Sequence, residues 1–396
     1  MIGHAHPYRR HTMKIRLLGA MLAVTVSCAS SRGAPPVPTS TATRVAAAGR
    51  ALDTVWYVST RARVEKRDSH QFADSMEFGY VLHSHLGTSD PFAGTLDVVL
   101  EDSVRVSATE FIAGVRAATF GNGARDVASL YVHGFGTSLH ECWEYASESR
   151  IRSRSGAPWV AFCWPSNGSG VARPVRGAIF SSAYVSDSAA AAASQPTFVR
   201  AVELTLEAVP AAQLMLVAHS LGAQLLGDAL SAPTNLRAHL TSHPARAIVF
   251  AAPDVDAHRF ADELVPALQP LTERLVVYIS GRDRMLALSR ARSGRVRAGA
   301  SPRIPRLRPR LETVDATGGL VAENGFQQLF GTHHALRRAS SVIFDLVHVV
   351  GARRHAECRT LLGTAAPRPD GVWQLSRARP DTNMIAQRCP KLHGSP

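Results

Sequence analysis

Residues 214–222 read Leu-Met-Leu-Val-Ala-His-Ser-Leu-Gly, an apolar run that ends in Ala218-His219-Ser220-Leu221-Gly222 before a helical pattern begins. Strand, tight turn and helix in that order present a serine hydroxyl at a sharp corner. Small residues two before and two after the serine are needed because the turn brings backbones together. Gly222 meets that need, and Ala218, one methyl larger, stands where the first Gly is usual. The helix N-terminus behind the hydroxyl favours negative charge developing there. The competing reading is that Ser220 merely caps the helix.

A serine hydroxyl is a poor nucleophile at neutral pH, so it needs a histidine base and an acid that fixes the imidazole tautomer and stabilises the imidazolium. In this context the chain order is serine, acid, histidine. After Ser220 the next apolar run ends at Asp254 and Asp256, and the one after it at Asp283. The bland reading of Asp283 is a surface ion pair with Arg282 or Arg284. That of Asp254 is a cap on the helical stretch starting near Ala257. Downstream come His333, His334, His348 and His355. His348 falls inside a helical stretch and His355 in the C-terminal tail, whereas His333 and His334 occupy the loop that opens the stretch.

These residues require a scaffold, and the hydropathy pattern supplies one. Thr54–Thr60 reads as a first strand, and 61–107 as further strands and turns, with Leu96–Leu100 the clearest. Continuous apolar runs follow at Ala128–His133, Trp159–Trp164, Gln213–Ala218, Arg246–Ala252 and Arg274–Ile279, with a weaker one at Leu311–Asp315. Helical stretches stand at Phe111–Phe120 and between the runs, at Leu139–Arg152, Ala189–Ala208, Leu221–Leu230, Ala257–Leu268 and His334–Val350. Apolar strands alternating with helices predict an α/β fold, a mostly parallel central sheet covered by helices on both faces. Ligands of such sheets bind beyond the carboxyl ends of the strands, where the polar residues named above gather.

Tyr131-Val132-His133-Gly134-Phe135, the Ala218–Gly222 turn and the late histidine together resemble the α/β-hydrolase superfamily. Four further segments resemble an uncharacterised bacterial esterase/lipase-like family: His133–Ser138, Phe162–Ser166, Ala251–Asp256 and Ser280–Leu288. The likeness covers roughly 54–350, with Phe135-Gly136 standing where relatives often have Tyr-Asn. It implies the α/β-hydrolase fold, with Ser220, Asp283 and His333 as the catalytic set. Asp254 is the runner-up acid and His334 the runner-up base. It also implies an oxyanion hole built from the backbone N–H groups of Leu221 and Phe135. His133 is expected to shape that loop rather than to transfer protons.

The implied activity is cleavage of a carboxylic ester, from a small molecule or a lipid, through an acyl-Ser220 intermediate without metal or cofactor. A thioesterase, acyltransferase or peptidase with the same triad is the alternative, as is a non-catalytic envelope protein that kept the fold. No CxxC or HExxH occurs, so no dedicated zinc site is expected. The net charge is +13, and only three of the 44 basic residues are lysine. The densest basic run, Arg290–Arg310, contains no aromatic residue, which disfavours nucleic acid as a partner.

The N-terminus reads as an export signal, 1–27, with basic residues before the short apolar run Leu17–Val26 and small residues after it. Thr25-Val26-Ser27-Cys28 resembles a lipobox, so lipidation of Cys28 and a membrane tether are expected first. Cleavage with release to the periplasm or medium comes second, and an uncleaved anchor third. Removing 1–27 takes away Arg9, Arg10, Lys14 and Arg16 and no acid, leaving +9. A flexible tether is expected at 28–48, a hydrolase domain at 49–350 and a C-terminal tail at 351–396. The Gly- and Ser-rich, then Ala-rich stretch 167–200 is a candidate lid or pocket wall. Export permits disulfides, and Cys358–Cys389 is the preferred pair because the tail has few apolar residues to hold it down.

Overall fold

Short Val-, Leu- and Ile-rich runs without a polar face must be covered on both sides, and those at Leu214–His219, Ala247–Ala251 and Leu275–Ile279 are central strands. The computed structural model describes residues 44–45, 51–64, 67–86, 96–121, 127–153, 156–166, 177–300, 311–318, 333–334, 336, 339–362, 367–376 and 382–389. The expected signal, Cys28 and residues 167–176 lie outside them. The strands are β1 (Arg44–Val45), β2 (Ala51–Val64), β3 (Arg67–Leu86), β4 (Asp97–Val106), β5 (Ala128–Val132), β6 (Trp159–Cys163), β7 (Leu214–His219), β8 (Ala247–Ala251), β9 (Leu275–Ile279), β10 (Leu311–Asp315) and β11 (Trp373–Gln374). They form one sheet in the order β11-β10-β9-β8-β7-β5-β6-β2-β3-β4, with β1 on β2. Pairing is parallel from β11 through to β2. The β2-β3-β4 edge is antiparallel. Two residues of the expected tether are thus paired, Arg44 with Leu52 and Val45 with Ala51.

Alternation sorts the core into two layers. Leu214, Leu216 and Ala218 of β7 point into one, and Met215 and Val217 into the other. The first layer is covered by α1 (Ala108–Phe120), α4 (Gln195–Ala208), α5 (Gly222–Ser231) and a helix α7 over 257–268. On the second lie α2 (Leu139–Ser153) and α9 (Ser340–Asp345), the latter continued by wide turns over Leu346–Gly351. The fold is that of the α/β hydrolases.

Several boundaries differ from expectation for local reasons. The helix expected over 189–208 is two, α3 (Gly177–Ala193) and α4, with the break at Ser194, because Pro196 lacks the N–H a continuous helix would use and fits the first turn of α4. Two short helices escaped the hydropathy pattern, α6 (Asn235–Ser242), capped by Thr234, and α8 (Arg284–Ser293), capped by Asp283. The tail carries the expected Cys358–Cys389 bridge and also docks on the sheet. β11 extends the sheet, Cys358 is bonded to Cys389, and α10 (Thr382–Arg388) buries Ile385. Buried charge adds to this apolar packing. The fully buried Arg359 guanidinium contacts Asp345 at 2.7 Å and Glu312 at 2.6 Å, and Arg274 holds the same Glu312 with two bonds of 2.7 Å. A second disulfide, Cys142–Cys163, ties α2 to β6.

Candidate active site

β7 delivers Ser220 into the left-handed region, φ +52°. A non-glycine residue held there is strained, and the surroundings must over-determine it. They do so with three backbone bonds: Ser220 N–H to Ala251 O (3.0 Å), Ala223 N–H to Ser220 O (3.0 Å) and Asp254 N–H to Ser220 O (3.1 Å). A Cβ on Gly222 would lie 2.4 Å from the His133 carbonyl oxygen, and one on Gly134 would lie 2.8 Å from the Ser220 Cβ. The loop after β5 therefore reaches the serine only because both positions lack side chains. α5 starts without a side-chain cap. The Ser220 hydroxyl lies instead 2.8 Å from His333 Nε2.

His333 Nδ1 is 2.8 Å from Asp283 Oδ2, and all three residues are buried. With Nδ1 protonated toward the carboxylate, Nε2 is left to accept the serine proton. The other oxygen of Asp283 accepts the Leu286 N–H at 3.0 Å, so Asp283 also caps α8. Burial alone would depress the His333 pKa. The charge of Asp283, its hydrogen bond and the more distant Asp254 outweigh it, and the net shift is upward.

The remaining candidates are placed differently. Asp254 accepts from Tyr184 Oη at 2.8 Å and from Ser289 Oγ at 2.7 Å, and Arg297 Nε lies 3.2 Å from it. Burial and Asp254 push the Tyr184 phenol up to about 12, which keeps it a donor. Asp256, not Asp254, caps α7 through the N–H groups of His258 and Arg259. His334 lines the cleft with its ring 5.3 Å from that of His219 and 5.8 Å from that of Tyr145. Leu221 is buried at the head of α5, and the Phe135 ring packs on Tyr184 at 5.8 Å. Phe135, Tyr145, Tyr184, Met285 and His333 are among the walls of the cleft over Ser220.

The segments after β5 and β6 lock each other. Trp164 Nε1–H donates to the His133 carbonyl at 3.0 Å, the two rings stack 4.9 Å apart, and Thr137 N–H donates to Ser166 Oγ at 2.8 Å. Buried Arg61 donates to the carbonyls of both Thr137 and Ser166. Burial first, and Arg61 second, hold the His133 pKa down to about 3, so its ring is neutral. A neutral ring carries one N–H and can donate to only one of its two carbonyl neighbours, Gly134 at 2.9 Å or Trp164 at 3.1 Å.

Three contributors were not foreseen. His219 Nε2 sits 2.8 Å from the His333 backbone carbonyl and supports the loop bearing that histidine. Buried Asp187 of α3 accepts the Gly136 N–H at 2.9 Å, and Tyr184 of the same helix reaches Asp254. His219 stands inside the Ser220 motif itself. Asp187 and Tyr184 fall in the stretch marked as a candidate wall, but nothing in their spacing singled them out.

A family model described as alpha/beta hydrolase of unknown function (DUF900) matches residues 119–317. The chain belongs to this family. The match spans half the chain and takes in Ser220 and Asp283, while His333 lies beyond it. No curated protein matches the chain. Among solved structures, a CIB-like hydrolase from Thermoplasma acidophilum is similar at 11% identity, covering 75% of this chain and 96% of its own, with TM-score 0.30. A prolyl endopeptidase is 13% identical over 75% of this chain and 37% of its own, with TM-score 0.28. The esterase Est22 is 10% identical over 61% and 69%, with TM-score 0.25. At these scores none of the three bears on the substrate.

Proposed function

We propose that the protein is a serine hydrolase that cleaves carboxylic esters through an acyl-Ser220 intermediate. The observation that carries this reading is the relay from Ser220 Oγ to His333 Nε2 and from His333 Nδ1 to Asp283 Oδ2, each step 2.8 Å. Ser220 Oγ attacks the ester carbonyl carbon while His333 Nε2 takes its proton. Asp283 stabilises the imidazolium. The carbonyl oxygen becomes an oxyanion and receives the backbone N–H groups of Leu221 and Phe135. The tetrahedral adduct expels the alcohol, which leaves with the proton from His333. Water then attacks the acyl-enzyme, giving its proton to His333, and the carboxylic acid departs as Ser220 recovers its hydrogen.

Ester rather than thioester or amide rests on the family likeness, and the aromatic and methionine cleft walls suit an apolar acyl group. A chromogenic ester series of increasing acyl length tests the reading. Hydrolysis should depend on Ser220 at every length, and Ser220→Ala should lose about 10⁴-fold or more in kcat while its melting temperature holds. Turnover of thioesters or peptides but of no ester would contradict it.

We further propose export and tethering through a lipid on Cys28. Two disulfides in one chain fit an oxidising compartment. Protein from membranes should partition into detergent, and Cys28→Ser should abolish acylation of residue 28. Recovery with all thiols free would count against export.

A further inference from the structure

We propose that the rim of the cleft formed by α3 and α8 docks on an anionic phospholipid surface and presents the mouth of the site to it. The two helices meet at one carboxylate, because Tyr184 of α3 and Ser289 of α8 both donate to Asp254. Arg292 of α8 lies over the Tyr184 ring at 4.9 Å, and Met285 and Tyr184 line the cleft itself. Val185, next to Tyr184, is 54% exposed, and Leu288, next to Ser289, is 49%; Val296, just beyond α8, is 39% exposed. They are three of the five large exposed apolar side chains among the described residues, the others being Phe72 and Phe120. Exposed apolar groups gathered beside a cleft mark an interaction surface more than a solvated face.

Charge selects the occupant. Arg282, Arg284, Arg290, Arg292 and Arg295 are all exposed in this same segment. Its one acid, Asp283, is buried under His333. The described outward positions of α3 carry Ser182, Val185, Ser186, Ala189, Ala192 and Ala193, again without an acid. Apolar side chains among arginines, with no exposed carboxylate between them, complement a surface that is apolar inside and negative outside. This surface differs from a tether at Cys28, since it concerns the orientation of the mouth, and it does not depend on Ser220 chemistry.

Sedimentation of the full chain carrying Cys28→Ser, so that no acyl tether contributes, with phosphatidylglycerol vesicles and with phosphatidylcholine vesicles, tests this; every variant below is made in that background. Arg290→Glu with Arg295→Glu should weaken binding to phosphatidylglycerol by about thirtyfold or more, and Val185→Ser with Leu288→Ser by about tenfold. Both pairs should leave hydrolysis of a dispersed short ester unchanged. Ser220→Ala should bind as the parent does, so loss of activity and loss of docking are separable. A control with the same charge change elsewhere, Arg200→Glu with Arg388→Glu, should keep most of the binding. Equal loss in that control would overturn the proposal in favour of bulk charge. Parental binding by both rim variants would overturn it outright, as would an apolar-pair variant whose only change is a smaller assembly without vesicles.

Discussion

Two carboxylates leave the sheet one strand apart, Asp254 after β8 and Asp283 after β9, and both are buried beside Ser220. Their partners divide them. Asp283 gives one oxygen to a backbone amide and the other to an imidazole, a group that gains and loses charge. Asp254 faces two hydroxyls and the permanent cation of Arg297. A carboxylate opposite a titrating partner can stabilise a charge that appears during a reaction. One already matched by a guanidinium is better suited to hold elements together, here α3 and α8 against the end of β8. Position along the chain does not separate these roles, but the partners do.

Exchanging each acid for its amide should dissociate them. Asp283→Asn should cost about 10⁴-fold in kcat with little change in melting temperature, because the amide misorients the imidazole. Asp254→Asn should do the reverse. It leaves Arg297 buried without its counter-charge, a loss of about 3 kcal/mol by thermal or denaturant unfolding, while kcat of the folded protein stays within about tenfold. Matching rate losses in the two variants would erase the distinction.

Asp187 tests a third, indirect kind of carboxylate. It touches the turn at Gly136 rather than Ser220, His333 or Asp283, so under the proposed mechanism Asp187→Ala should displace the Phe135 amide and lower kcat by about 10–100-fold with KM nearly unchanged. Asp187→Asn keeps an acceptor and should recover most of the rate. A change confined to KM would mean that the residue acts on substrate binding instead.

The smallest effect is one of titration. Burial opposes protonation of His333, but the Asp283 charge and hydrogen bond, then Asp254, raise its pKa above the ordinary 6.5. In the proposed mechanism His333 acts as base only when neutral. The acid limb of kcat/KM should therefore lie above pH 6.5, with activity falling as pH drops through it. Removing the Asp283 charge should move the limb down further than removing the Asp254 charge. A limb that does not respond to Asp283→Asn would point to another titrating group.

The central strands were legible because both of their faces are buried, which leaves continuous apolar runs such as Leu214–Val217. Ser220 was legible because its turn demands small neighbours at fixed offsets. Ranking Asp283 over Asp254, and His333 over His334, came from family likeness rather than from the residues. Both acids end a strand and both histidines share a loop, so the choice lies in long-range contacts. Asp187 was invisible for the same reason, since its partner amide is 51 positions away. The Cys358–Cys389 bridge of the tail was legible from its compartment and its shortage of apolar residues, but the buried ion pairs around Arg359 were not, since Glu312 and Asp345 lie 47 and 14 positions away.

The central claim is that Ser220 is activated by His333. Reaction with a fluorophosphonate probe, followed by mass spectrometry of the modified peptide, measures this without any assumption about substrate. The account predicts a single adduct on Ser220 in the parent, its near-complete loss in His333→Ala, and parental labelling in His334→Ala. An unlabelled Ser220 in folded parent protein, or labelling lost in His334→Ala and kept in His333→Ala, would contradict it.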